Sequence, residues 1–390
     1  MTNTAGQDPL FVTVAARFPL LPRSRPPGQH LLRRVHELTE LVEPVTQEPG
    51  ERSATRASEV LNKAALIASD CGLADLARAL CWRQFDIFHT AAPLAGPAAK
   101  MALQPLVNLG RLATRDGDSD RAYAIFTSIF DAVTNQTTQN IDGRDIDFDN
   151  YVADAQQHHH ELRRFAWTVL LAEGTRALTR AGRWAEAVQH LRRHRGLGKR
   201  LLDGRQTTIL AHTAEGDYDG AINMIKTSST PEPWEHAVSR CFHTLCLQLG
   251  NHRADTETET MVNAYLQLSS SPKQQAFRTR LGLCVIDLVA DLNRAAVPAV
   301  IERVNHEAVA ATDAHIASDV LAHERCRPAL SEHDFETLVE TVDSSGLSSG
   351  TMPSHLLDAL VTSVKAGEER LSRCLGPGRP DLITNSRANR

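Results

Sequence analysis

From about residue 55 onward, apolar residues recur three and four positions apart in stretches of roughly 12 to 20. No run of alternating β-branched residues interrupts them, so the pattern predicts a chain that is almost wholly helical. Starts are predicted at Thr230–Pro231, at Ser271–Pro272 and at Ser331 with Asp334 three residues on, where a side-chain cap or the fixed φ of proline favours a first turn. Stops are predicted at Gly72, Gly117, Gly182, Gly216 and Gly250. The first 28 residues are proline-rich and predict an extended arm with a short strand at LFVTV, followed by a helix near 29–46. The segment between Thr134 and Gln156 has the composition of a loop, and the tail from Gly376 that of a disordered end. The chain therefore divides into an arm and helix over 1–50, a periodic array over 51–230, further helical hairpins over 231–374 and a tail over 375–390.

Aligning the glycines exposes a second periodicity. Gly72, Ala77 and Cys81 share their spacing with Gly117, Ala122 and Phe126, with Gly182, Ala187 and Leu191, and with Gly216, Ala221 and Ile225. Glycine permits the left-handed turn that ends one helix, the small alanine lets the next helix approach closely, and the apolar residue one turn on fills the seam. Each set predicts an antiparallel helical hairpin.

These residues resemble the tetratricopeptide repeat, a 34-residue helix-turn-helix unit. Gly182 and Gly216 stand 34 apart, Trp184 and Tyr218 follow them by two, and Leu109 and Gly110 match the Leu-Gly pair of the family. Departures are the 45- and 65-residue intervals from Gly72 to Gly117 and from Gly117 to Gly182, and Ile209 where the family has a small residue. The extra residues fall on HTAAPLAGP and on the 134–156 segment. The resemblance covers 60–226 and implies an all-α fold, a right-handed α-solenoid of antiparallel hairpins. It also implies a non-catalytic role in holding a protein or peptide, and it implies that the first helices of the hairpins line a concave face carrying Asn62, Asn108, Arg111, Arg176 and Gln206, with Arg111 and Arg176 at one repeat position. An acidic ligand would suit the two arginines.

Composition adds charge to this picture. The formal net charge is -5, yet Glu161–Arg205 holds ten Arg and one Lys against four acidic residues, including the run RRHRGLGKRLLDGR. Arg192, Arg193, Arg195, Lys199 and Arg200 thus form an alternative basic surface, suited to RNA or another polyanion or to an enzyme site of unfamiliar kind. GLGK lacks the rest of a phosphate-binding loop, and no motif of a hydrolase, kinase or dinucleotide-binding enzyme occurs. Asp142, Asp145, Asp147 and Asp149, with His158, His159 and His160 beyond them, fail the calcium-loop pattern, which from Asp145 meets Asn150 and Gln156 instead of Gly and Glu. His190 with His194, and His243 with Cys246, sit one helical turn apart without further ligands, so neither a metal nor a cofactor is expected. The seven cysteines form no CxxC pair and are expected as reduced thiols, and the N-terminus lacks the basic start and unbroken apolar run of a signal peptide. A cytoplasmic protein without a membrane segment is expected. Its Ala- and Arg-rich style is similar to the helical halves of bacterial transcriptional regulators, which implies a regulator or an accessory factor of a biosynthetic pathway. The first 50 residues are too short and proline-rich for their helix-turn-helix domain, so direct DNA binding is not expected.

Overall fold

The computed structural model describes residues 5–23, 26–43, 50–153, 155–289 and 297–376. These are almost entirely helical, with neighbouring helices packed against one another in chain order. They separate into two compact units, His30–Ala177 with Gly346–Arg390 and Met1–Gln29 with Leu178–Ser345. The boundaries of these units fall at 29/30, 177/178 and 345/346, so each unit joins two stretches distant in the sequence.

The unit around 30–177 begins with helix Leu31–Val42, followed by the pairs Gly50–Asp70 with Ala74–Thr90 and Gly96–Arg115 with Ser119–Asn135, and then by Ala155–Val169. Helix Ser354–Leu375 returns to pack on Leu31–Val42, Gly50–Asp70 and Ala74–Thr90. Its Leu356, Leu360, Val364 and Leu371 are buried. At about 1.5–3 kcal/mol for each such side chain, their burial is comparable to the net stability of a whole domain, so this helix belongs to the core. In the unit around 178–345, the pairs are Asp203–Ala214 with Tyr218–Lys226, Pro233–Leu249 with Asp255–Leu266, and Gln275–Val289 with Val297–Ala311. Phe11, Val14, Phe18 and Leu20 of the N-terminal segment enter their core.

The four glycine junctions share one geometry. Gly72, Gly117, Gly182 and Gly216 have φ of 78°, 81°, 70° and 78°. In each, the next residue donates its N–H to the carbonyl five positions back, as in Leu73 to Ala68, Asp118 to Ala113, Arg183 to Leu178 and Asp217 to His212, which satisfies an orphan carbonyl of the closing helix. Ala77, Ala122, Ala187 and Ala221 are all fully buried. Gly110 completes the second seam from the other side: a Cβ there would lie 2.5 Å from the Phe126 ring. At Gly250 the φ is -78° and the left-handed residue is Asn251 instead.

Three sequence expectations change. The LFVTV segment lies in helix Pro9–Ala15, not in a strand, because Asp8 accepts the Leu10 N–H at 2.8 Å as N-cap, Pro9 opens the first turn, and Phe11, Val14, Ala15 and Phe18 recur at helical spacing. The 134–156 segment contains a two-stranded antiparallel hairpin, Gln139–Ile141 with Arg144–Ile146, turned by Asp142 and Gly143 at φ of 55° and 85°. Its Ile141, Ile146, Phe148 and Tyr151 are buried. The start expected at Thr230–Pro231 falls instead at Pro233, where Glu232 and Glu235 make a reciprocal capping box. Residues 44–49 and 377–390, which include the end of the predicted 29–46 helix and nearly all of the tail, lie outside the described residues.

Adding methylenes where two helices touch should overpack the seam. Ala122→Leu and Ala187→Leu are each expected to lower stability by about 1–3 kcal/mol in chemical or thermal unfolding followed by circular dichroism. An unchanged midpoint in both would contradict the hairpin packing.

Candidate functional site

In the unit around 30–177, helix Gly96–Arg115 carries Gln104, Asn108, Arg111 and Arg115 at spacings of four, three and four, which aligns them on one face. Gln104 Nε2 donates to Asn108 Oδ1 at 3.1 Å, and Asn108 Nδ2 donates to Asn62 Oδ1 on helix Gly50–Asp70 at 2.5 Å. Arg111 reaches the other neighbour, placing Nε and Nη2 at 2.9 and 2.8 Å from Glu173 Oε1. Arg176 Nη1 donates to Glu173 Oε2 at 3.1 Å. Four of the five residues expected on a common face are therefore joined in one polar ladder.

Glu173 is the member that sequence reasoning missed. It is buried, in a π-helical turn, Leu170–Gly174, that follows helix Ala155–Val169; turns of this kind shift side-chain register and recur at functional sites. A further rung lies one turn along: Arg115 donates to Asp70 Oδ1 at 3.1 Å and to Ser69 Oγ, while Arg34 Nη2 donates to Asp70 Oδ2 at 2.7 Å. Asp70 is buried, whereas Arg111 and Arg115 are about half exposed. Four guanidiniums thus meet two carboxylates, and Arg111, Arg115 and Arg176 are the three that reach solvent, on a face rich in N–H donors. Chemically, this arrangement suits the binding of carboxylates and backbone carbonyls. It pairs no nucleophile with a base.

Gln206 does not join the ladder. It belongs to the other unit, is fully buried, and spends its carboxamide on the backbone: Oε1 accepts the Leu20 N–H at 2.8 Å, and Nε2 donates to the carbonyls of Leu20 and Leu201, each at 3.0 Å.

The basic run divides by role. Arg200 donates through Nε and Nη2 to the two oxygens of buried Glu235, both at 3.1 Å, and Arg205 binds the carbonyls of Gly198 and Met224 and the hydroxyls of Thr227 and Ser228. These two arginines pin the loop. Arg192, Arg193, Arg195 and Lys199 are exposed and form no ion pair among the described residues, and Leu197 and Leu202 are exposed beside them.

The acidic segment is partly consumed by its own fold. The side chain of Asp142 is buried and receives Arg78 and Arg121, each at 2.7 Å, while Asp145 accepts from Asn140 and Asp147 from Thr138. The rings of His190 and His194 are 4.7 Å apart. Among the described residues, no three His, Cys, Asp or Glu side chains are grouped to hold a metal, and no helix is long and apolar enough to cross a membrane. A surface cleft of about 670 Å³ between helices Ala74–Thr90 and Ser354–Leu375 is lined by Arg83, Asp86, Glu368 and Arg373 and is bridged by Arg83 with Glu368 at 2.6 Å, apart from the ladder. All seven cysteines are free thiols, six of them buried. Burial pushes Cys81, Cys284 and Cys326 up to about 12 and Cys246 to about 11.

No family model, curated protein or solved structure matches the chain.

Two outcomes follow from this geometry. Glu173→Gln leaves Arg111 and Arg176 without their shared carboxylate and is expected to cost about 1–3 kcal/mol of unfolding free energy, less than a fully buried pair because both arginines reach solvent. A thiol reagent at mildly alkaline pH should modify Cys374 alone in the native protein and all seven cysteines after denaturation, since the other six thiols are sequestered and held protonated. Rapid native labelling of several thiols would contradict the packed cores.

Proposed function

We propose that this chain is a non-catalytic binding scaffold, a tetratricopeptide-like right-handed α-solenoid whose polar ladder in the 30–177 unit holds an extended, acidic segment of a protein partner. The observation that carries this reading is the row of hydrogen-bonded carboxamides and partly exposed arginines that runs from helix Gly50–Asp70 across helix Gly96–Arg115 to Arg176. Carboxamides at Asn62, Asn108 and Gln104 offer donors and acceptors to a peptide backbone, and the half-exposed Arg111, Arg176 and Arg115 offer charge to its side chains. The four recurring glycine junctions support the repeat architecture that such a face requires.

Glu173 sets the selectivity of this face. By holding both Arg111 and Arg176, it lowers the attraction for a bare anion and favours a ligand that brings carboxylates together with hydrogen-bonding backbone. A second reading, a polyanion such as RNA bound at Arg192, Arg193, Arg195 and Lys199, draws on the exposure of those four cations.

Fluorescence anisotropy with a labelled pool of Asp- and Glu-rich peptides separates the readings. Arg111→Ala or Arg176→Ala should each weaken binding by about 1–3 kcal/mol with the fold intact, and the double replacement of Arg192 and Arg193 by Ala should do much less. The reverse ranking, with affinity falling steeply with salt, would reject the ladder in favour of the polyanion.

A further inference from the structure

The N-terminal segment supplies a different observation, in the other unit and independent of the acidic-peptide reading. Residues 17–23, Arg-Phe-Pro-Leu-Leu-Pro-Arg, lie against the first helices of three successive hairpins: Asp203–Ala214, Pro233–Leu249 and Gln275–Val289. Main-chain, aromatic and ionic contacts combine here as they do between a receptor and a peptide. Gln206 reads the backbone of Leu20 at both its N–H and its carbonyl. Phe18 packs on Phe242 with ring centroids 4.4 Å apart, and Leu20 is buried two residues on. The flanking arginines reach carboxylates, Arg17 Nη2 at 3.0 Å from Asp287 Oδ2 and Arg23 Nη2 at 2.6 Å from Asp203 Oδ2.

The receptor groups are held in position by bonds that do not involve the arm. Gln206 Nε2 also donates to Leu201 O, which orients its carboxamide. Asp287 Oδ1 is bound at 3.0 Å by His323 Nε2, and His323 Nδ1 accepts the backbone N–H groups of Arg325 and Cys326, so the ring presents its proton to the carboxylate. Such bonds preorganise a site before its ligand arrives. The arm, by contrast, is separated by 186 residues from the glutamine that holds it.

We propose that Gln206, Phe242, Asp203 and Asp287 form a peptide-recognition groove, occupied in cis by residues 17–23, whose ligands are extended basic segments of the pattern Arg-aromatic-X-Leu-X-X-Arg presented by a partner in exchange for the arm. The groove reads main chain through Gln206, an aromatic and a leucine through its apolar floor, and two positive charges through its rim. Its charge preference is opposite to that of the ladder.

Two measurements on the full chain decide it. In the wild-type protein, hydrogen exchange should show the Leu20 amide opening more readily than core amides such as that of Leu245; equal protection would mean that the arm leaves only on global unfolding, and would overturn the proposal. In the double variant Arg17→Glu with Arg23→Glu, which repels the arm from Asp287 and Asp203, a labelled peptide of residues 9–23 should bind saturably and at least about tenfold more tightly than to the wild-type chain, where the tethered arm competes at high effective concentration. Adding Gln206→Ala to that variant should weaken the peptide again by about tenfold, the loss of a bidentate hydrogen bond. Absence of peptide binding to a folded double variant would overturn the proposal, and if that variant does not fold, the exchange measurement alone decides.

Discussion

Close approach of helix backbones is the constraint on which both units depend. A helix that reverses direction within two or three residues must leave its last carbonyls satisfied, and a left-handed glycine does this four times in the same way, at 72, 117, 182 and 216. Once the turn is that tight, the next helix starts so near the previous one that only a small residue fits five positions later, which is why each of those positions is a fully buried alanine. Gly110 applies the same logic across a hairpin, leaving room for the Phe126 ring. The spacing of glycine, alanine and an apolar residue is thus the imprint of a distance between axes.

That distance also sets what the polar residues can do. Helices held close in series bring side chains from Gly50–Asp70, Gly96–Arg115 and the turn at Leu170–Gly174 within hydrogen-bonding reach of one another. The ladder is therefore stabilised by the packing and adds modestly to it, because its arginines are half exposed and their pairs are weakened by water. What such partial exposure provides is a set of oriented donors whose partners already compete for them, a condition that suits reversible binding better than a lone unpaired charge.

Local interactions were legible in the sequence, and long-range ones were not. The hairpin junctions and the capping serine at Ser331 with Asp334 follow from spacing within a helix or between neighbours, and the repeat resemblance brought together Asn62 and Asn108, which are hydrogen-bonded. The β-hairpin had a readable signal that loop composition obscured: Asp142-Gly143 between Ile141 and Ile146, the dipeptide that fits a two-residue turn with both φ positive. The LFVTV helix was obscured in the same way by β-branched residues, although Asp8-Pro9 marks its start. Glu173 and Gln206 are of another kind. A π turn leaves no residue signature here, and the environment of Gln206 is made by Leu20, far away in the chain, which the repeat resemblance that placed Gln206 on an open face does not register.

The return of helix Ser354–Leu375 onto Gly50–Asp70 has a consequence for biogenesis. On a ribosome the early helices emerge long before their partner is made, so the face of Val60 and Leu61 that meets Gly367 stays uncovered until helix Ser354–Leu375 leaves the exit tunnel. Residues 5–23 wait in the same way for the helices beyond 203. Synthesis order and assembly order are thus opposed at both ends of the chain, and contacts of such sequence separation form slowly. Nascent chains stalled short of residue 354 would expose this surface to chaperones and to one another, whereas emergence of helix Ser354–Leu375 lets it be covered.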